Sequence, residues 1–396
     1  MLKNIITTIN THLSNQELDI RKTNNARFID QKCTPDVLSS VAESILEYLD
    51  TEQKQDFTIR EIWNSEFAID VMVNKFQKPS PTDVGSRSEY DKVFSQPIKL
   101  LDYAGIISEI GTRDRGALFQ LNNREVLEYI SVSDDKALKF LINYLESIIE
   151  ASGLKALFDG FFHAPSKDSF ANLKEKYIQF IIDNTPINGE TETSRIFTKI
   201  INPLAFSRKS FGTSKGRISK SVIQYSELFY NRVNFRDVQK PKDQPRKAYL
   251  IDLGEESTSE TYQVEKAKRQ IKKHHKQKSE THRFLHEPAI HAHHIFMKSE
   301  FRELSDTLEN LILLTPSQHY SYAHLGGNTQ RISKPYQLVC LLSKIDSIEE
   351  SEYWEDDFYS KSKFVNVVNT GLEKELLKNN MSFQDMKNIL ATEYVS

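Results

Sequence analysis

Residues 290–324 read IHAHHIFMKSEFRELSDTLENLILLTPSQHYSYAH, and the order of residue types here decides how the C-terminal part of the chain folds. The adjacent His293 and His294 end an apolar strand and a polar loop follows. Asn310 then opens a second apolar strand through Leu311, Ile312, Leu313 and Leu314, and Pro316 starts a helix that carries His319. Side chains alternate along a strand, so His293 and His294 face opposite ways. One can hold a metal ion while the other meets water. Proline suits the first helical turn, where its missing N–H costs nothing, and His319 falls on that same turn, where strand and helix can jointly grip an ion.

Each residue type suits a task in phosphodiester cleavage. An imidazole titrates near neutrality and can take the proton from an attacking water. Neutral imidazoles and a divalent ion can hold the phosphate and stabilise the leaving oxygen. An amide can fix the loop that aims the base.

The stretch resembles the HNH (ββα-metal) nuclease family: HHI followed by a Ser-Glu-Phe turn, then ENLILLT, then a helix with QH and AH. The resemblance implies that His293 and His319 are metal ligands, His294 the general base and Asn310 the residue that orients the loop. It implies one divalent ion per site, magnesium first, with manganese, nickel or zinc as alternatives. His324 follows His319 by five residues, whereas family members with a second helical ligand usually place it four away. Its role stays open between metal ligand, phosphate contact and packing. The wider run Ala323-His324-Leu325-Gly326-Gly327-Asn328-Thr329-Gln330 also resembles bacterial HNH restriction endonucleases. His282, His286 and His291 have no comparable context and are expected to pack.

Working outward, 396 residues exceed what one core holds, so two or three domains are expected. Hydrophobic residues at 38% and charged residues at 27% are a globular composition, which excludes a disordered chain. No stretch is apolar enough for a membrane span and no signal pattern opens the chain, so a cytoplasmic, bacterial-type setting is expected. Cys33 and Cys340 are too few and too far apart for a disulfide framework or a four-cysteine zinc. The net charge of −3 hides segregation: residues 265–278, EKAKRQIKKHHKQK, are strongly basic, and residues 346–357 are acidic. Lys268, Arg269, Lys272 and Lys273 are the phosphate-contact candidates of the basic helix, which also holds His274 and His275. A solvated face is the competing explanation.

Upstream, residues 1–49 carry apolar residues at helical spacing. Thr58 and Glu61 form a capping box. A helix over residues 83–103 contains Pro97, which should kink or break it. Residues 105–111 and 117–121 read as strands around a charged tip. Helix, helix, hairpin is the order of a winged helix, whose base-reading candidates are Arg87, Tyr90, Lys92 and Gln96, with Arg113 and Arg115 at the tip. Residues 134–182 read as packing helices, and Arg208, Lys209, Lys215, Arg217 and Lys220 as a flexible basic loop.

The expected fold class is α+β and mostly helical. The expected domains are a helical lead-in and winged-helix-like recognition domain (1–133), a helical connector with the basic loop (134–260) and a ββα-metal nuclease domain (261–396). The resemblance implies a site-specific, type II restriction endonuclease acting on double-stranded DNA. Because one HNH site cuts one strand, it implies a homodimer on DNA and a cognate DNA methyltransferase as genetic partner. The alternatives are a nicking, homing or modified-base-dependent enzyme, and, from another class, a DNA-binding regulator with a structural metal site.

Overall fold

The computed structural model describes residues 4–76, 87–230, 256–282, 286–324 and 332–395, with side chains from residue 90 in the second segment and 260 in the third, and to 394 in the last. It is α+β and mostly helical, with three small antiparallel sheets among the described residues. None of the described helices is long and apolar enough to cross a membrane. The chain forms two compact units, one of Thr7–Glu256 and one of Ser257–Ser396 with Met1–Ile6.

In the first unit α1 (Ile5–Ser14) and α2 (Ile20–Thr23) lead to α3 (Pro35–Glu52). Helix α3 starts with Pro35 at its first position and ends on Gln53 at a left-handed φ of 53°. It is buried on nearly every side, because α5 (Glu66–Asn74), α6 (Arg87–Tyr103), α7 (Arg124–Val132) and α8 (Asp134–Ala151) all pack on it. Strand β1 (Asp56–Thr58) runs into α4 (Ile59–Trp63), whose capping box is the expected pair Thr58 and Glu61. Strands β2 (Ile107–Arg113) and β3 (Gly116–Leu121) then form a hairpin, and the sheet order is β1-β3-β2. The hairpin turns on Asp114 (φ 51°) and Arg115 (φ 65°), the paired positive dihedrals that match right-handed strand twist.

Two expectations are corrected here. Helix α6 continues through Pro97 to Tyr103. A lost backbone bond and a ring clash cost about 3 kcal/mol. Burial of Val93, Phe94, Ile98, Leu100 and Leu101 outweighs that, at about 1.5–3 kcal/mol for each large side chain. The stretch expected as a flexible basic loop is instead an ordered hairpin, β4 (Phe211–Ser214) and β5 (Arg217–Val222). Lys215 (φ 52°) and Gly216 (φ 77°) make its turn. Asn202, on α11 (Glu190–Ser207), anchors it by accepting from Thr213 N (2.7 Å) and donating to Thr213 O (3.0 Å).

The recognition and connector segments expected on either side of residue 133 lie in one unit. Helix α8 packs on α3 and α7, and the buried Lys75 at the end of α5 reaches Asp134 (2.9 Å) and Ser40 (3.0 Å). Between α8 and α11, α9 (Lys155–His163) and α10 (Lys167–Asn184) close an aromatic cluster of Phe158, Phe161, Phe170, Tyr177 and Phe197.

The second unit holds α12 (Glu256–His275), the antiparallel pair β6 (His291–His294) and β7 (Leu311–Leu314), the one-turn α13 (Pro316–Gln318), and α14 (Lys334–Trp354), α15 (Lys361–Gly371) and α16 (Phe383–Val395). Leu311 to Leu314 are fully buried, which makes β7 the spine of this unit.

Candidate metal centre

Strand β6 pairs with β7 so that His293 faces Ile312 and His294 faces Leu311. Alternation puts His291 and His293 on one face and His294 on the other. After β7, Thr315 caps α13: its hydroxyl accepts from Gln318 N (3.2 Å), and Gln318 Oε1 accepts from Thr315 N (2.9 Å). From His319 to Ala323 the helix widens into a π turn. A π turn closes at i+5 rather than i+4, so it carries His324 back over His319. His324 is buried and held in an isolated β-bridge with Ile332.

The result is a cluster of three imidazoles. One ligating atom from each of His293, His319 and His324 lies within 4.8 Å of the others. Ring centroids are 5.3 Å apart for His293 and His319, 4.9 Å for His293 and His324, and 4.8 Å for His319 and His324. Burial, with the neighbouring histidines, pushes His293 down to about 3 and His319 down to about 4. Both rings are therefore neutral at pH 7, the form that binds a metal. His319 Nδ1 is buried without a hydrogen-bond partner, as a nitrogen reserved for an ion would be. Tetrahedral ligands about 2.0–2.1 Å from zinc stand roughly 3.4 Å apart, so small rotations complete the set. Among the described residues the cluster contains no carboxylate.

No protein-family model, curated protein or solved structure gives a significant match to this chain. Its chemistry is therefore read from the geometry.

On the other face, His294 Nε2 lies 2.9 Å from the carbonyl oxygen of Ser305. A carbonyl only accepts, so the proton sits on Nε2 and Nδ1 keeps its lone pair. Burial lowers the pKa of His294, opposed by the Ser305 contact, and Lys268 and Lys298 lower it further. Asn310 is fully buried at the far end of the loop. It accepts from Phe296 N (2.9 Å) and donates to the carbonyls of Phe296 (3.0 Å) and Leu304 (3.1 Å). It thus fixes both ends of the loop whose Ser305 carbonyl orients His294.

Several supports had no signal in the sequence. Gln337 donates to Ile295 O (2.7 Å). Phe296 packs on Gly371, where an added Cβ would come within 2.4 Å of the ring. Glu280 donates its N–H to Leu313 O (3.0 Å) and accepts from Leu313 N (2.8 Å), bordering β7 like an extra strand residue. Its other oxygen meets the fully buried Lys344 at 2.5 Å, and Lys344 also donates to Tyr359 (2.9 Å). His275 bonds Tyr359 and His274 stacks on Phe358, so the end of the basic helix is anchored rather than solvated. His291, expected only to pack, stacks on His319 with centroids 4.7 Å apart and planes at 9°. His282 and His286 are exposed.

The nucleic-acid candidates divide by environment. Tyr90 is buried against Trp63, so it cannot meet base edges. Arg113 is held by Asp56 (2.9 Å) and Glu61 (2.6 Å), and Arg208 lies between Glu146 (3.1 Å) and Asp159 (3.6 Å). Gln96 Oε1 accepts from Lys32 N (2.8 Å), which leaves only its amide hydrogens. Lys268 pairs with Glu265, and Arg269 lies over Tyr262. Lys92, Arg115, Lys209, Lys215, Arg217, Lys220, Lys272 and Lys273 are exposed. Lys92 and Gln96 border a cleft of about 520 Å³ with Lys99 and Arg195. The Arg87 side chain and the run from Leu325 to Gln330 lie outside the described residues.

Proposed function

We propose that this chain is a metal-dependent DNA endonuclease of the HNH (ββα-metal) kind. The observation that carries the reading is the division of labour across β6. His293 joins His319 and His324 in a three-imidazole cluster, while His294 points the other way with Nε2 tied to Ser305 and Nδ1 able to accept a proton. Such an arrangement suits hydrolysis of a phosphodiester. His294 Nδ1 takes the proton of the attacking water, and Asn310 keeps the loop that aims it from moving. A divalent ion held by the three histidines would neutralise the phosphate and stabilise the leaving oxygen. Three imidazoles without a carboxylate suit nickel or zinc better than magnesium, which replaces the ordering expected from the sequence.

For the first unit the proposal is a winged helix with α6 as its recognition helix. The order α3, β1, α4 with α5, α6, β2, β3 and the sheet order β1-β3-β2 support it. So do the cationic residues along the α6 cleft. Double-stranded DNA as substrate, a homodimer on DNA, and a type II restriction role with a partner methyltransferase follow from this reading. Plasmid cleavage with nickel, zinc, manganese or magnesium, with and without EDTA, tests it. Metal-dependent cutting at defined positions is the expected result. Stoichiometric metal uptake with no strand breakage under any of these ions would leave a structural metal site instead.

A further inference from the structure

We propose that the first unit docks the phosphate backbone of its DNA in the cleft between α6 and α11, with Lys92, Lys99 and Arg195 as the phosphate contacts. The side of α6 toward the β2–β3 hairpin then stays off the DNA. The inference rests on the DNA-binding reading and names where on this unit the backbone sits. Helix α6 borders two clefts that differ in charge. One, of about 520 Å³, is lined by Arg27, Lys32, Lys92, Lys99 and Arg195 against Asp30 and Glu192. The other, of about 1500 Å³, lies toward the hairpin and is lined by seven carboxylates, Asp91 and Asp114 among them, against four cations. Two of those cations, Lys54 (3.5 Å) and Arg113 (2.6 Å), are already held by Glu61. A polyanion approaching between α6 and the hairpin meets net negative charge, and one approaching from the α11 side meets net positive charge.

Hydrogen bonding inside the α11-side cleft sharpens the match. Lys92, Ser95, Gln96 and Lys99 fall at i, i+3, i+4 and i+7, so a single helical stripe forms one wall. Arg27 joins both carboxylates, Asp30 (2.8 Å) and Glu192, and so ties the loop before α3 to α11. The other oxygen of Asp30 accepts from Gln31 N (2.7 Å). Gln96 Oε1 accepts from Lys32 N (2.8 Å), and the buried Lys32 turns its own ammonium to the Tyr230 hydroxyl (2.9 Å). Both carboxylates and the Gln96 oxygen are thus already accepting. The exposed Lys92, Lys99 and Arg195 and the Gln96 amide hydrogens are left to donate. Such a lining suits phosphodiester oxygens, which only accept and carry the opposite charge. Lys92 and Lys99 stand two helical turns apart, about 10 Å along the axis, so they reach separate phosphates. Arg195 meets the same backbone from the opposite wall.

The test uses the full chain in EDTA and labelled duplexes of two unrelated sequences. Fluorescence anisotropy over a salt series follows binding. Lysine acetylation with and without duplex, read by mass spectrometry, locates the side chains that DNA covers. Arg195→Ala should flatten the log–log salt slope by about one unit, and Lys92→Ala with Lys99→Ala by about two, on both duplexes alike. Arg195→Lys keeps the charge and should keep the slope. Arg60→Ala with Arg115→Ala, which removes two exposed cations of the hairpin-side cleft, should leave the slope unchanged. Duplex should protect Lys92 and Lys99 from acetylation and should not protect Lys54. All of these side chains are exposed, so the variants should melt like the wild type. Unchanged slopes in the Arg195→Ala and double lysine variants, or a loss confined to the Arg60 and Arg115 variant, would overturn the proposal while leaving DNA binding itself intact. A wild type that binds neither duplex would end the DNA reading, and this docking site with it.

Discussion

His319 and His324 are five residues apart, yet their rings lie with centroids 4.8 Å from one another because the backbone between them forms a π turn. The spacing that sets this chain apart from a four-residue helical pair is thus absorbed by one widened turn. His324 thereby joins His293 and His319. Replacing either His319 or His324 with Ala should remove most metal affinity, measured by calorimetric titration with zinc or nickel. His291→Ala should leave the stoichiometry unchanged. Full-strength binding by His324→Ala would remove it from the ligand set.

His294 and Asn310 should separate chemistry from binding. If the proposed nuclease reading holds, His294→Ala abolishes strand cleavage while metal uptake stays near wild type, because His294 faces away from the three-imidazole cluster. Asn310→Asp keeps the shape but turns a donor toward two carbonyls into an acceptor. The loss should be about 2–4 kcal/mol of stability, with cleavage falling alongside. Urea unfolding and a plasmid assay measure the two. A stable, fully active Asn310→Asp protein would show that the loop needs no clamp.

Acid should weaken the metal-free protein before it affects most carboxylates. Unfolded imidazoles titrate near 6.5, whereas folded His293 sits at about 3 and His319 at about 4. Between these values the unfolded chain binds more protons, so stability rises with pH. It is fully present above about 6.5 and is lost as pH falls toward 3 and 4. In EDTA, Tm should drop between pH 7 and pH 5, and His293→Leu with His319→Leu should flatten the slope. An equally steep slope in that double variant would assign the effect to other groups.

The order histidine pair, asparagine, helical histidine was legible because its spacing reports local structure: alternation on β6, an apolar β7 and a proline-started helix. The capping box of Thr58 and the hairpin around Asp114 were legible for the same reason. What stayed hidden depends on distant partners. Nothing near Arg113 announces that Asp56 and Glu61 hold it, and nothing near Glu280 announces Lys344. Tyr90 is different: with Val93, Phe94 and Ile98 it follows the helical period of a buried face, and that signal was present in the sequence.

Cation environment should divide the DNA-contact candidates. Lys272→Ala with Lys273→Ala should flatten the log–log salt dependence of DNA binding by about one unit per phosphate contact removed. Arg113→Ala should leave that slope alone and lower stability, since Arg113 is engaged by two carboxylates. Binding over a salt series, paired with thermal melts, reads both effects. An unchanged slope in the double lysine variant would make that helix face merely solvated.

Lys344→Met should cost about 3–5 kcal/mol, because it takes the ammonium from the buried carboxylate of Glu280 and leaves it only His275 (3.3 Å) and Tyr359 (3.4 Å) on that side. Adding Glu280→Gln should restore part of the loss. Trp354 belongs to this unit and Trp63 to the other, so fluorescence in a Trp63→Phe background follows the relevant transition alone. A single variant that melts like the wild type would mean the pair contributes nothing.

The ion pair of Lys75 with Asp134 spans 59 residues of chain and sits where α5, α3 and α8 meet. Any dissection that ends a domain at residue 133 removes Asp134 from the buried Lys75 and bares the flank of α3 that α8 covers. Evolution faces the same constraint as the engineer. A swap between related chains would have to move Thr7–Glu256 as one cassette, whatever that unit binds.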